Sequence, residues 1–156
     1  MKEKFINAYM NTAQVFSELS TARRLQVGAI VVKDDRIISI GYNGTPAGWD
    51  NDCEYEEAII MSEYHRGTWI EKTGELKTKP EVIHAESNAI SKLAKTSGGG
   101  EGATMFITHA PCIECAKLIY QSGIKTVYFG KFYRDKSGIE FLEKCGIQIE
   151  KFPRES

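Results

Sequence analysis

Residues 84–129 read HAESNAISKLAKTSGGGEGATMFITHAPCIECAKLIYQSGIKTVYF, and the alternation inside this stretch decides the fold. Ala85, Ala89, Ile90, Leu93 and Ala94 recur at helical spacing, and Gly98-Gly99-Gly100 stops that helix. Ala103–Thr108 is an apolar run of strand length. Pro111 then opens a second helix reaching about Ser122, because proline suits the first helical turn. Val127–Phe129 is again a strand. Strands alternating with helices form a sheet covered by helices. Working outward, Gly138–Cys145 reads as a helix and Ile147–Ile149 as a last short strand. Upstream, Val27–Val32, a turn at Lys33-Asp34-Asp35-Arg36, and Ile37–Tyr42 read as a hairpin. Phe5, Ala8, Tyr9, Thr12, Phe16 and Leu19 predict an amphipathic helix over 2–19. Residues 43–83 are charged and irregular; Glu54–Tyr64 is read as helical and Thr68–Pro80 as loop. The expected architecture is one α/β domain over 1–156, a three-layer α-β-α sandwich around a five-stranded mixed sheet.

Composition narrows the class of function. The chain has 156 residues, enough for one sizeable core, and 42% are hydrophobic. No apolar run approaches the roughly 18 residues of a membrane span. Met1-Lys2-Glu3-Lys4-Phe5 mixes acid with base and lacks an apolar signal core, so nothing marks export. Four cysteines are too few for a disulfide scaffold, and two of them stand in C-x-x-C. A reducing cytoplasm with metal binding fits that usage. Net charge is -1, from 20 basic and 21 acidic residues, without the basic excess of a nucleic-acid binder. The expected partners are small molecules, with neither nucleic acid nor membrane among them.

Two motifs carry the chemistry. His84-Ala85-Glu86 supplies an imidazole and a carboxylate, and Pro111-Cys112-Ile113-Glu114-Cys115 supplies two thiols. His84, Cys112 and Cys115 make three zinc ligands, which leaves one tetrahedral position for water, as catalytic zinc requires. Cys112 and Cys115 share one face of a helix at three-residue spacing. His84 and Glu86 would diverge in mid-helix but converge over a helix N-terminus. Two such N-termini add positive partial charge that favours thiolate. Zinc in such a site lowers the pKa of water toward about 7. Glu86 is then the proton carrier, taking the proton of water and delivering protons to the group under attack. Either motif alone is weak: C-x-x-C also marks structural zinc half-sites and redox pairs. The pairing H-x-E with P-C-x-x-C is a known signature of zinc nucleobase deaminases; with that signature, the protons go to N3 and the amine of a cytosine attacked at C4.

The chain resembles the deoxycytidylate (dCMP) deaminases of the cytidine deaminase-like superfamily, especially the phage type, over nearly its whole length. Besides the metal motifs, Gln26-Val27-Gly28-Ala29, Gly41–Gly48 (GYNGTPAG) and Gln121-Ser122-Gly123-Ile124-Lys125 carry the resemblance. It implies hydrolysis of dCMP to dUMP and ammonia, feeding thymidylate synthesis. It implies zinc on His84, Cys112 and Cys115, with Glu86 as proton shuttle. It places Asn43 on the deoxyribose, Tyr133 near the substrate, and Arg23 or Arg24 near the phosphate. It further implies a homohexamer activated by dCTP and inhibited by dTTP, with Mg2+ accompanying the triphosphate. Tyr42, Gly44 and Asp52 are the candidate effector residues. Some phage relatives hold a second, structural zinc, but Ala22 and Asp52 occupy the corresponding positions here, so one Zn2+ per chain is expected. His109-Ala110 departs from the usual pair before Pro111, and both residues are expected to line the pocket.

Competing functions remain at this level. Within enzymes they are deaminases of cytidine, deoxycytidine, guanine-type bases or tRNA adenosine. Outside enzymes, a structural zinc module would need a fourth ligand from Cys53, His65, His109 or Cys145. Trp49 and Trp69 are read as packing residues, and Cys145 as a small buried hydrophobe.

Overall fold

The computed structural model describes residues 1–57, 62–71 and 74–154, with 62–65 and 69–71 described as backbone. In chain order the elements are α1 (Glu3–Ser17), β1 (Gly28–Lys33), β2 (Arg36–Tyr42), β3 (Glu54–Glu56), β4 (Ser62–His65), β5 (Thr68–Glu71) and β6 (Leu76–Thr78). They continue with α2 (Ala85–Leu93), β7 (Thr104–His109), α3 (Ile113–Gln121), β8 (Thr126–Lys131), α4 (Ser137–Lys144) and β9 (Gln148–Lys151). The central sheet runs β2-β1-β7-β8-β9. β1 is antiparallel to β2 and β7, whereas β7-β8 and β8-β9 are parallel, so the expected five-stranded mixed sheet is present. Asp34 and Asp35 both adopt positive φ, 52° and 58°, the turn that matches a twisted two-residue hairpin.

Side chains alternate across the sheet because strand residues have a period of two. Ile30, Val32, Phe106 and Tyr128 face α1 together with Ile6, Met10 and Ala13. Ala29, Val31, Met105, Ile107 and Val127 face the other layer, built from α2, α3 and α4. This gives helices on both faces, the expected three layers.

The helix over 2–19 exists as α1, but its buried stripe differs from the expected one. Ile6, Met10, Ala13 and Ser17 are buried, while Phe5 and Leu19 stay exposed. Close approach explains the offset. A Cβ on Gly28 of β1 would overlap the Ala13 carbonyl oxygen and lie 2.7 Å from Ser17 N. Only the small residues Ala13 and Ser17 fit where α1 crosses Gly28, and this contact sets which face of the helix is turned inward. Gly41 does the same on the other face, where a Cβ would overlap Ala85 O and lie 2.6 Å from Ala89 N of α2.

Residues 54–80 correct the reading of helix followed by loop. Glu54–Glu56 is a strand pairing with Leu76–Thr78, and Ser62–His65 pairs with Thr68–Glu71. Arg66 and Gly67 turn the second ribbon with φ of 51° and 85°. Backbone pairing and turn chemistry win here over the helix propensity of a Glu-rich run. Residues 58–61 of the expected helix, and 72–73 of the expected loop, lie outside the described residues.

Candidate active site

His84 is the N-cap of α2 and Cys112 the N-cap of α3, both with extended backbone. N-caps are usually Ser, Thr, Asp or Asn, whose side chains bond back to the helix. Here neither side chain caps its helix, so both are free to face each other. His84 Nδ1 lies 3.4 Å from Cys115 Sγ and 3.7 Å from Cys112 Sγ. The three donor atoms lie within 4.8 Å of one another. Among the described residues, no fourth His, Cys, Asp or Glu joins this cluster. Cys53 is buried beside Thr21, with 3.4 Å between sulfur and hydroxyl oxygen. The His65 side chain lies outside the described residues.

Electrostatics fit the donor set to a dication. The Cys115 thiol and the His84 ring both hydrogen-bond the Cys112 sulfur and pull its pKa down to about 4. Cys115, bonded to that thiolate and buried, is pushed up. His84 is raised, first by its bond to Cys112. One thiolate is thus present before any metal arrives, and a cation repays the loss of the second thiol proton. Two sulfurs and an imidazole nitrogen are a zinc-type set. Glu86, in the first turn of α2, is buried, and burial raises its carboxyl above the ordinary range.

A cavity of about 460 Å³ opens onto this cluster. His84, Glu86 and Cys112 line it, and so do Asn43, His109, Ala110 and Tyr133. Of the two candidate arginines, Arg24 lines the cavity. Arg23 lies outside that lining and pairs with Asp52 at 3.1 Å and Glu54 at 3.6 Å. Asn43 is spent largely on the backbone: Val27 N–H donates to its Oδ1 (2.8 Å), and its Nδ2 donates to Leu25 O (2.8 Å). It therefore shapes the cavity wall at residues 25–27. Tyr42, Gly44 and Asp52 lie outside the cavity lining. Tyr42 O accepts from Asn88 Nδ2 (3.2 Å), and Gly44 exchanges two backbone hydrogen bonds with Ile83, next to His84.

Glu54, Thr78, Lys131 and Arg134 also line the cavity, and sequence reasoning missed all four. Glu54 and Thr78 were hidden by the misread segment. Lys131 and Arg134 had a signal. Lys131 ends β8 and Arg134 follows it, and ligands gather beyond the carboxyl ends of parallel strands. The register pairs His109 of β7 with Lys131 of β8.

His109 is held by a short hydrogen-bond chain. Gly28 N–H donates to Thr108 Oγ1 (3.2 Å), and Thr108 Oγ1 lies 2.9 Å from His109 Nδ1. This hydroxyl orients the imidazole from its Nδ1 side. Burial, then the nearby Lys131 charge, hold His109 below its ordinary 6.5. The unfolded chain therefore binds this proton more tightly than the folded one. The contribution is complete above pH 6.5 and is lost as pH falls through the lowered value. Thermal midpoints of the zinc-loaded protein should fall on acidification below that pH, and His109→Asn should flatten this part of the curve. Identical acid limbs for both proteins would contradict it.

An α-β-α sandwich with an open-sided His-Cys-Cys cluster, a buried glutamic acid and a nucleotide-sized cavity defines a zinc-dependent deaminase. The family profile described as the cytidine and deoxycytidylate deaminase zinc-binding region matches residues 3–131, and the chain belongs to that family. The dCMP deaminase of cyanophage S-TIM5, solved with dCMP and dUMP, superposes with a TM-score of 0.80 at 41% identity, covering 97% of this chain and 99% of that one. The deoxycytidylate deaminase of Enterobacteria phage T4 is 33% identical, over 94% of this chain and 89% of its own. ComE operon protein 2 of Bacillus subtilis (strain 168) is 36% identical, over 91% of this chain and 68% of its own. No described helix is long and apolar enough to cross a membrane.

Proposed function

We propose that the chain, as one domain over 1–156, hydrolyses dCMP to dUMP and ammonia and supplies dUMP for thymidylate synthesis. One observation carries the reading: the cavity that reaches His84, Glu86 and Cys112 also has Arg24, Lys131 and Arg134 in its lining. A deamination centre and three cations in one cavity suit a base that bears a phosphate. Charged hydrogen bonds to phosphate are strong, and Arg matches its geometry. His84, Cys112 and Cys115 would hold one Zn2+ per chain, which would supply the Lewis acidity that makes water nucleophilic near neutral pH. Glu86 takes a proton from the attacking water and passes it to ring N3. The water oxygen bonds to C4, Glu86 delivers the second proton to the amine, and the C4–N bond breaks to release ammonia. The raised Glu86 pKa suits a group that must both accept and return a proton. Asn43 and Tyr133 bound the sugar, His109 and Ala110 the base side, and Arg24 rather than Arg23 holds the phosphate.

Regulation belongs to the same proposal. dCTP with Mg2+ activates and dTTP inhibits a cytoplasmic homohexamer, through Tyr42, Gly44 and Asp52. The paired backbone bonds between Gly44 and Ile83 support this, because they tie that loop to the residue preceding His84. The two effectors must prefer different states of the assembly for regulation to occur.

The test is initial rates on dCMP, CMP, deoxycytidine and dCTP, with and without dCTP or dTTP as effector. dCMP should be turned over fastest. Faster turnover of deoxycytidine overturns the nucleotide assignment, and rates indifferent to both effectors overturn the regulation. Arg24→Ala should raise KM for dCMP by about 10–100-fold, the worth of a charged hydrogen bond, and leave deoxycytidine unchanged.

A further inference from the structure

Two carboxylates line the cavity among the described residues, Glu86 and Glu54. The proton transfers occupy Glu86 alone. Glu54 opens β3 and is 1% exposed. Its Oε1 accepts the backbone N–H of Arg23 (2.8 Å) and of Arg24 (3.1 Å). Its Oε2 is buried and has no hydrogen-bond partner. The nearest cation, Arg23 Nε, stands 3.6 Å away, and that guanidinium donates instead to Asp52 Oδ1 at 3.1 Å. A buried carboxylate oxygen without a donor is uncommon in a folded protein and calls for one.

We propose that Glu54 is a specificity-determining residue whose Oε2 accepts a hydrogen bond from the sugar 3′-hydroxyl of a 2′-deoxynucleotide. This rests on the cavity taking dCMP, and the chemistry of that ligand selects the partner. A cytosine deoxynucleotide offers two kinds of donor, the exocyclic amine and the 3′-hydroxyl. The amine is on the reacting carbon and belongs beside Glu86. The phosphate only accepts, and a carboxylate repels it. The hydroxyl is what remains. Its neighbours agree in order: Glu54 fixes the Arg24 backbone, and the Arg24 side chain lines the cavity, bonded to Thr78 Oγ1 at 3.1 Å. One wall thus presents an acceptor for the hydroxyl beside a cation for the phosphate, as a 5′-nucleotide requires.

The experiment compares dCMP with 2′,3′-dideoxycytidine 5′-monophosphate in the zinc-loaded wild type and in Glu54→Gln. Glutamine keeps an oxygen for the two backbone N–H groups and removes the charged acceptor. Wild type should lose about 100-fold in kcat/KM on the dideoxy substrate, because the carboxylate is left without its donor. In Glu54→Gln that ratio should shrink below about 10-fold, since the neutral amide makes a weaker bond. Calorimetric binding of dUMP against 2′,3′-dideoxyuridine 5′-monophosphate to wild type reads the same preference without catalysis, should the variant fold poorly. An equal ratio in both enzymes, or no preference for the hydroxyl in wild-type binding, overturns the assignment. Failure of wild type to turn over dCMP at all overturns the underlying reading and this inference with it.

Discussion

Glu86→Gln should lower kcat by about 10²–10⁴-fold, the usual worth of a positioned general acid–base group, while the protein keeps its zinc and its fold. Glutamine has the same shape but cannot carry a proton between water, ring nitrogen and amine. The stability consequence has the opposite sign to most core substitutions. Burial of the ionised carboxyl is unfavourable, which is why its pKa is raised. Replacing it with a neutral amide removes that desolvation, so the thermal midpoint should hold or rise. Zinc content by emission spectroscopy, a thermal melt and dCMP turnover check all three points. A variant with full zinc and full activity would falsify the mechanism. A variant that loses zinc would place Glu86 among the metal's supports instead.

Gly138→Ala should damage the metal site from outside it. Gly138 lies in the first turn of α4, and an added methyl would overlap Pro111 O and lie 2.9 Å from Cys112 O. Both are backbone atoms of the segment that presents the first thiol. Alanine suits a helix, so the harm is steric. Either α4 lifts away or the Pro111-Cys112 segment shifts, and overpacking of this kind costs about 1–3 kcal/mol. We expect a fall in thermal midpoint and at least a tenfold loss of zinc affinity, measured by competition with a chromogenic chelator. Gly98→Ala is the matched control, since nothing lies within 4 Å of the added carbon. Equal zinc affinity in both variants would show that α4 does not set the position of Cys112.

What could be read in advance follows from the range of the forces involved. The motifs at His84 and Cys112 each open a helix, and local periodicity at Ala85, Ala89 and Leu93 marks the helix they begin. The hairpin was equally local, with its turn at Asp34-Asp35. The misread parts depend on distant partners. Ala13 and Ser17 are buried because Gly28, a strand away, admits their backbone. Glu54–Glu56 is a strand because Leu76–Thr78 pairs with it across an irregular segment. Glu54 in the cavity wall, and Arg23 turned toward Asp52, follow from that pairing. The ligand triad needed only chemistry and spacing, whereas the substrate wall needed the fold.

The N-cap placement of His84 and Cys112 divides the molecule's labour. Both N-cap residues sit on helix ends pressed to neighbours through Gly41 and Gly138, where no side chain intervenes. The polar residues that line the rest of the cavity stand elsewhere: Arg24 and Asn43 on connections, Glu54 in β3, Thr78 in β6, and Lys131–Arg134 at and beyond the end of β8. On the proposed function, replacing those outer segments would change which base-bearing molecule is admitted and leave the metal-facing helix ends in place. A single hydrolytic engine could therefore be re-addressed to new cargo by exchange of those segments, with the bracing glycines as the positions that must be carried over unchanged.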